Sequence, residues 1–475
     1  MKRHAGRLSL LTIGLPMLLA LVLGGGTMPG TLIDPWLLLV LALGALVELA
    51  RAPSRDLSRG ALPLVVLPVL VVAWQLLPLP LVGATQNVLP LELSSTLASV
   101  RPLTLDIAAT WDAALWTATL CLFLLVLLRT DAAELRGRTT FVFVAVAIHI
   151  VVGLMQFAGA VPLRAPVLGY TPTAGFFANE NHLATFLVMS IPLAFAYLGQ
   201  FGTRWLVGLY VSVVLGMLAV AGSAMGMMLG VAATTLSLFL FGDVRARVGP
   251  AREVGRWRVV ASGVVVALLV GATAFVAWRV ANDSSSGGTR LSYAEVTLGA
   301  IADNLPFGTG FGTFAPVYER YDAPERIGAT FVNEAHNEYL QLALVGGLPA
   351  IIVAALVVWI LAGRARESWH LPLTKASVIA LGLLAVHSAI DYPLRTLSVS
   401  VLAVFLIAAL FERLPRPRGA HHEGEGRALR RTGTRPVPPA TPPSTRPVAS
   451  ARPIAPHRAD DRVAEPTDAP ETIDA

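Results

Sequence analysis

The chain has 475 residues, 55% of them hydrophobic and 14% charged, with a mean hydropathy of +0.66. A soluble domain carries about a quarter charged residues, so a water-soluble globule is excluded. The net charge of +6 is spread over many short segments rather than gathered on one face, which excludes a nucleic-acid partner, and the single cysteine, Cys121, excludes an intramolecular disulfide and a cysteine-built metal site.

Apolar runs long enough to span a bilayer, about 20 residues each, recur along the chain. They predict helices near 9–25, 34–50, 61–82, 107–128, 140–158 and 180–200, then near 205–222, 225–241, 259–279, 337–363, 375–390 and 394–411. The expected fold class is an all-α polytopic membrane protein of roughly twelve transmembrane helices, with residues 1–411 as one membrane domain. The first run is followed by Met28 and Pro29 rather than an Ala-x-Ala site, so it reads as a helix and not as a cleaved leader. Arginine-rich short loops fall on one side of this layout: Arg51, Arg55 and Arg59; Arg129, Arg136 and Arg138; Arg204; Arg245 to Arg258; Arg364, Arg366 and Lys375. The positive-inside rule then places both termini in the cytoplasm.

Two segments stand apart. Residues 281–335, between predicted spans 9 and 10, form one large periplasmic loop; loops above about 15 residues in a compact protein are usually functional. It opens with the turn-rich Asn282–Gly288 and continues as Thr289–Asp303, where Leu291, Ala294, Val296, Leu298 and Ile301 fit a helix at the membrane interface. Residues 412–475 are rich in proline and arginine and poor in large apolar side chains, the composition of a disordered cytoplasmic tail.

Polar residues at span ends are the candidates for chemistry. His336 stands where the long loop enters a span; it reads either as a general base near neutral pH or as an interfacial histidine bonded to a carbonyl. The loop's Arg290, Arg320 and Arg326 suit pyrophosphate oxygens or are solvated charges. Gly308, Gly310 and Gly312 read as a phosphate cradle or as tight turns. Asn179, Glu180, Asn181 and His182 lie at one helix entrance, and His387, Asp391 and Arg395 around another, where an Asp391–Arg395 pair is the structural alternative to a functional group. No Asp-x-Asp pair occurs in an external loop, so chemistry without a metal is expected.

At these residues a resemblance emerges. Gly175-Phe176-Phe177-Ala178-Asn179-Glu180-Asn181-His182 resembles the Gly-x-x-x-Asn-x-Asn-His segment of the O-antigen ligase family. Pro306–Phe314 is similar to that family's Pro-x-x-Gly-x-Gly-x-Gly-x-Phe loop, His336–Gln341 with Gly346–Pro349 to its signature histidine and following turn, and His387–Leu394 to a late element. The likeness covers about 140–410. One departure stands out: Ala224, within Gly222–Gly226, falls where the family commonly has the arginine of Ser-Arg-Gly; either Arg164 or another external arginine replaces it, or the chain is a divergent member with altered activity.

The resemblance implies an architecture like that of the GT-C membrane glycosyltransferases, in the bacterial inner membrane with the active site facing the periplasm. It implies transfer of a glycan from an undecaprenyl-pyrophosphate carrier to an acceptor hydroxyl, by a metal-independent inverting displacement that needs no cofactor. Catalysis falls to His336 and Arg290, and substrate binding to Arg164, Asn179, Asn181, His182, Gly310, Gly312 and Asn337. Expected partners are the lipid-linked donor, a glycan or lipid A-core acceptor, membrane lipids, and flippase and chain-length regulator proteins. An O-antigen or exopolysaccharide polymerase and a protein O-oligosaccharyltransferase share this chemistry. A polysaccharide transporter would instead carry ionisable groups at mid-membrane, whereas here they crowd the span ends.

Overall fold

A computed structural model describes residues 9–27, 33–51, 57, 60–77, 102–160, 174–201, 204–242, 286–323 and 332–412. The predicted span 259–279, Arg164, Arg326 and the tail beyond Glu412 lie outside the described residues.

The described residues are helical, with one isolated bridge, Ala174 to Phe177, and no strand. In chain order the helices are α1 (Leu15–Leu23), α2 (Ile33–Arg51), α3 (Ala61–Ala73), α4 (Ile107–Arg129), α5 (Ala132–Phe157), α6 (Glu180–Tyr197), α7 (Arg204–Ala221), α8 (Ala224–Gly242), α9 (Ser286–Asn304), α10 (Phe314–Tyr321), α11 (Glu338–Glu367), α12 (Pro372–His387) and α13 (Leu397–Leu410). Five of them, α2, α4, α5, α8 and α11, are long and apolar enough to cross a membrane, and shorter apolar helices accompany them. Their outer faces carry large apolar side chains, among them Trp359 at 72% and Phe239 at 78% exposure. Such a surface is costly in water and suits lipid. The chain is a membrane protein.

The innermost element is α6. Beyond its polar first turn it has no charged residue, and nearly every side chain from His182 to Ala196 is buried. A helix apolar all round finds its place only by being surrounded; α5, α7, α8 and α12 pack about it. A second layer joins α13 to α1 and α4, and α3 to α4 and α11. A smaller apolar cluster of Ala300, Phe314, Val317, Tyr318, Ala335, Leu344 and Val345 forms where α9, α10 and α11 meet. On α9, Val296 and Ile301 pack into this cluster while Leu291 and Leu298 are exposed.

Ion pairs mark the two ends of the bundle. At one, Arg136 of α5 meets Glu412 just past α13 at 2.6 Å, and Arg364 of α11 lies over the ring of Phe411. At the other, the starts of α6 and α11 meet the turn that follows α12. Arg136 and Arg364 and the candidate site are therefore at opposite ends.

α11 is broken at Gly347, whose φ of 60° and ψ of −159° are not helical. The loop 306–310 enters this break: Leu348 N donates to the Pro306 carbonyl at 2.8 Å, and a Cβ on Gly308 would lie 2.6 Å from Gly347 N. Glycine at 308 and 347 lets two backbones touch where any side chain would separate them.

Candidate active site

Three polar helix entrances and turns converge on one carboxylate. Asn179 caps α6, its Oδ1 accepting from Asn181 N at 2.8 Å, and this sets the first turn so that Asn181 and His182 face inward. Asn337 caps α11 in the same way, accepting from Tyr339 N and Leu340 N at 3.0 Å each. Its amide also donates to the Ala389 carbonyl at 2.8 Å, and Glu338 N donates to the Ser388 carbonyl at 2.9 Å. These bonds fasten the start of α11 to the turn 388–392, which delivers Asp391.

Asp391 is buried, and four side chains address it. Asn181 Nδ2 donates to its Oδ2 at 3.1 Å. His182 Nε2 and His336 Nδ1 each stand 3.5 Å from its Oδ1, and Arg290 Nη2 stands 3.8 Å from its Oδ2. The two imidazole contacts are of ion-pair length, longer than closed hydrogen bonds. Among the described residues, neither His336 Nδ1 nor either ring nitrogen of His182 has a hydrogen-bond partner. Tyr392 is wedged between the two imidazoles, edge to face with each, at centroid distances of 4.7 Å to His182 and 4.8 Å to His336. Tyr293, one turn along α9 from Arg290, covers His336 from another side at 5.6 Å.

Exposure grades these groups. His182 is fully buried, the His336 side chain is 23% exposed and that of Arg290 38%. Burial alone would raise the Asp391 carboxyl, but the polar contact and charge of the His182 and His336 imidazoles outweigh it and hold the carboxyl well below the usual carboxylate range. Asp391 is thus a fixed negative charge. Facing Nδ1 of His336, it favours the tautomer protonated there and leaves the lone pair on Nε2. Glu334, two residues before His336, lacks such cationic neighbours in contact, and burial pushes its carboxyl up.

His336 has φ of 51°, the one non-glycine residue with positive φ among those described. For an L-residue this conformation costs about 1–2 kcal/mol. Strain of this kind persists where the surroundings over-determine it, and it gathers at functional sites.

A family model described as O-antigen ligase matches residues 182–355. That segment of the chain is similar to the O-antigen ligase family. No curated protein matches the chain. The matched segment begins at His182 and takes in Arg290 and His336; Asp391 lies beyond its end.

The structure brings His336, Arg290, Asn179, Asn181, His182 and Asn337 together around Asp391. Within that group, Asn337 has both its amide oxygen and nitrogen committed to the protein backbone. The glycine loop goes elsewhere. Gly308 N, Thr309 N and Gly310 N donate to the carbonyls of Asn304, Leu344 and Val345, and Phe311 N to Gln75 Oε1. A Cβ on Gly310 would run into Thr104, and one on Gly312 would lie 2.7 Å from the Ala109 carbonyl. This is the tight-turn geometry, with amides turned to protein rather than to an anion. Arg164 lies outside the described residues.

An Asp391–Arg395 pair does not form. The 3₁₀ turn Pro393–Arg395 turns the guanidinium to Glu338 Oε2 at 3.4 Å, and Asp391 faces the imidazoles instead. Ser223, beside the Ala224 position, donates to Asn181 Oδ1 at 2.7 Å, so the segment that departs from the family pattern touches the cluster. Among the described residues, no group of three or more His, Cys, Asp or Glu side chains is placed to hold a metal ion.

Proposed function

We propose that this protein transfers a glycan from an undecaprenyl-pyrophosphate carrier to an acceptor hydroxyl, with His336 as general base. The observation that supports the reading most is the placement of His336 Nδ1 at 3.5 Å from the ionised Asp391, with Arg290 alongside. Nε2 of His336 takes the acceptor hydroxyl proton as the oxygen attacks the anomeric carbon. The bond from that carbon to the pyrophosphate oxygen breaks in the same step, which inverts the configuration. Asp391 stabilises the imidazolium that forms. Arg290, partly exposed and with guanidinium donors to spare, meets the charge gathering on the departing undecaprenyl pyrophosphate.

The basic end of the bundle is assigned to the cytoplasm, which turns the Asp391 cluster to the periplasm. The twelve-span layout in a bacterial inner membrane belongs to the same reading. A ligase and a polymerase use the same displacement and differ in acceptor, a lipid A-core sugar in one and a second lipid-linked repeat in the other.

The test is transfer by purified protein with the lipid-linked donor and each acceptor in turn. His336→Asn is the apt substitution, because asparagine tolerates a left-handed backbone. A lost general base costs about 10²–10⁴-fold in rate, and Arg290→Lys should be severely impaired, since a point ammonium cannot reproduce the guanidinium fork. Transfer by His336→Asn at the wild-type rate would overturn the general-base reading.

A further inference from the structure

The left-handed backbone at His336 raises the question of what holds it. On the C-terminal side the answer is the Asn337 cap and the Glu338 amide, both fastened to residues 388–389. On the N-terminal side the hold comes from within α11. Gln341, buried one turn into that helix, accepts from Ala335 N at 3.0 Å through Oε1 and donates through Nε2 to the Glu334 carboxylate. One side chain thus grips two consecutive residues directly before His336, and an amide alone among side chains of that length can accept from one and donate to the other.

We propose that Gln341 is a positioning residue for His336: its amide clamps Glu334 and Ala335, and so keeps His336 left-handed with the imidazole against Asp391. The inference rests on the reading of His336 as base for its effect on turnover, but not for its effect on the histidine itself. Glu334 is the counterpart of the clamp. Its carboxyl is buried beside an amide that can donate to it, and among the described residues no ion pair reaches it. The backbone at 336 is strained, so it relaxes when either shoulder is released, and Nδ1 then leaves Oδ1. A displacement of about 1 Å at a reacting group can cost about 10²-fold in rate.

The experiment uses the full-length protein in detergent micelles and reads two quantities. One is the rate of carbethoxylation of His336 by diethylpyrocarbonate, followed peptide by peptide, which needs no substrate. The other is kcat and KM for glycan transfer. Gln341→Leu should insert normally, lose about 10–100-fold in kcat with little change in KM, and react several-fold faster at His336. Gln341→Glu alone should be as poor, because it sets two carboxylates face to face. The exchanged pair Glu334→Gln/Gln341→Glu restores both bonds, with donor and acceptor reversed between the two side chains and a carboxylate oxygen still accepting from Ala335 N, and should return kcat to within about tenfold of wild type and His336 reactivity to its original rate.

Wild-type kcat and wild-type His336 reactivity in Gln341→Leu would overturn the proposal. If Gln341→Leu fails to accumulate, the exchanged pair decides. Recovery of abundance, kcat and reactivity together supports the clamp. Recovery of abundance without the other two shows a packing role only and overturns it. If His336→Asn proves active while the reactivity pattern holds, it is the base reading that falls and the clamp that stands.

Discussion

Asp391→Asn keeps the shape of the side chain and removes its charge. In the wild type that charge stands 3.5 Å from His336 Nδ1, and a proton taken from the acceptor makes the imidazole a cation at that distance. Two unit charges about 4 Å apart interact by about 4 kcal/mol at the effective dielectric of a protein boundary. The ring is 23% exposed and Arg290 shares the carboxylate, so about half of that is a fair value for the transition state. About 2–4 kcal/mol converts to a loss of roughly 30- to 1,000-fold in kcat. A second effect acts in the same direction: an asparagine amide can donate to Nδ1 and so stabilise the tautomer protonated on Nε2, which has no lone pair left for the acceptor proton. Initial rates of transfer at saturating lipid-linked donor, normalised to protein in the membrane, measure the loss, and KM should move little. Asp391→Asn turning over at the wild-type rate with normal abundance would refute the account of the site, because no other group faces His336 Nδ1 with a negative charge among the described residues.

Other outcomes follow from the same geometry. Because the folded Asp391 carboxyl titrates well below the unfolded value of about 3.9, its contribution to stability is full above that pH and fades as pH falls through the folded value. The difference in thermal midpoint between wild type and Asp391→Asn should therefore shrink as the pH falls below about 3.9; a constant difference would contradict it. His336→Gly should abolish transfer yet relieve backbone strain of about 1 kcal/mol, visible as a thermal midpoint no lower than that of His336→Ala. Gly308→Ala places a methyl 2.6 Å from Gly347 N at a φ of 75° and should lower abundance by disrupting the kink of α11, as followed by fluorescence-detected size exclusion. In a Cys121→Ala background, Leu291→Cys should react with an impermeant maleimide from the periplasm and Glu367→Cys only after lysis; the reverse pattern would invert the topology.

Much of the helix layout was legible because an apolar run ended by arginine or proline leaves the chain little choice. The reading 107–128 became Ile107–Arg129, 34–50 became Ile33–Arg51 and 337–363 became Glu338–Glu367. The break at Gly347 was not legible, since hydropathy runs straight through it; it depends on a loop some forty residues upstream needing room for its own backbone. The eight-residue α10 was likewise too short and too polar to announce itself. Among the site residues, Arg290 stood out as an arginine of the long loop, and Asn181, His182 and His336 as polar groups at the ends of apolar runs. Asp391 was visible in the same way, but its partner was not. The nearest cation in sequence is Arg395, and only the fold shows that Arg395 turns to Glu338 while residues from α6, α9 and the start of α11 claim the carboxylate. Glycine spacing at 308–312 could not reveal whether the bare backbone faces a ligand or another backbone, because both demand the same absence of side chain.

The carboxylate comes from the far side of α12, whereas the histidine and arginine precede α11. A ribosome making this chain therefore delivers His336 to the membrane before Asp391, and the amides of Asn337 and Glu338 wait for carbonyls at 388 and 389 that have yet to be synthesised. Until α12 and the turn after it are in place, the imidazole has neither its counter-charge nor its anchor. Assembly of the cluster is thereby tied to completion of the bundle: a nascent chain halted after the long loop carries His336 without the carboxylate that it comes to face.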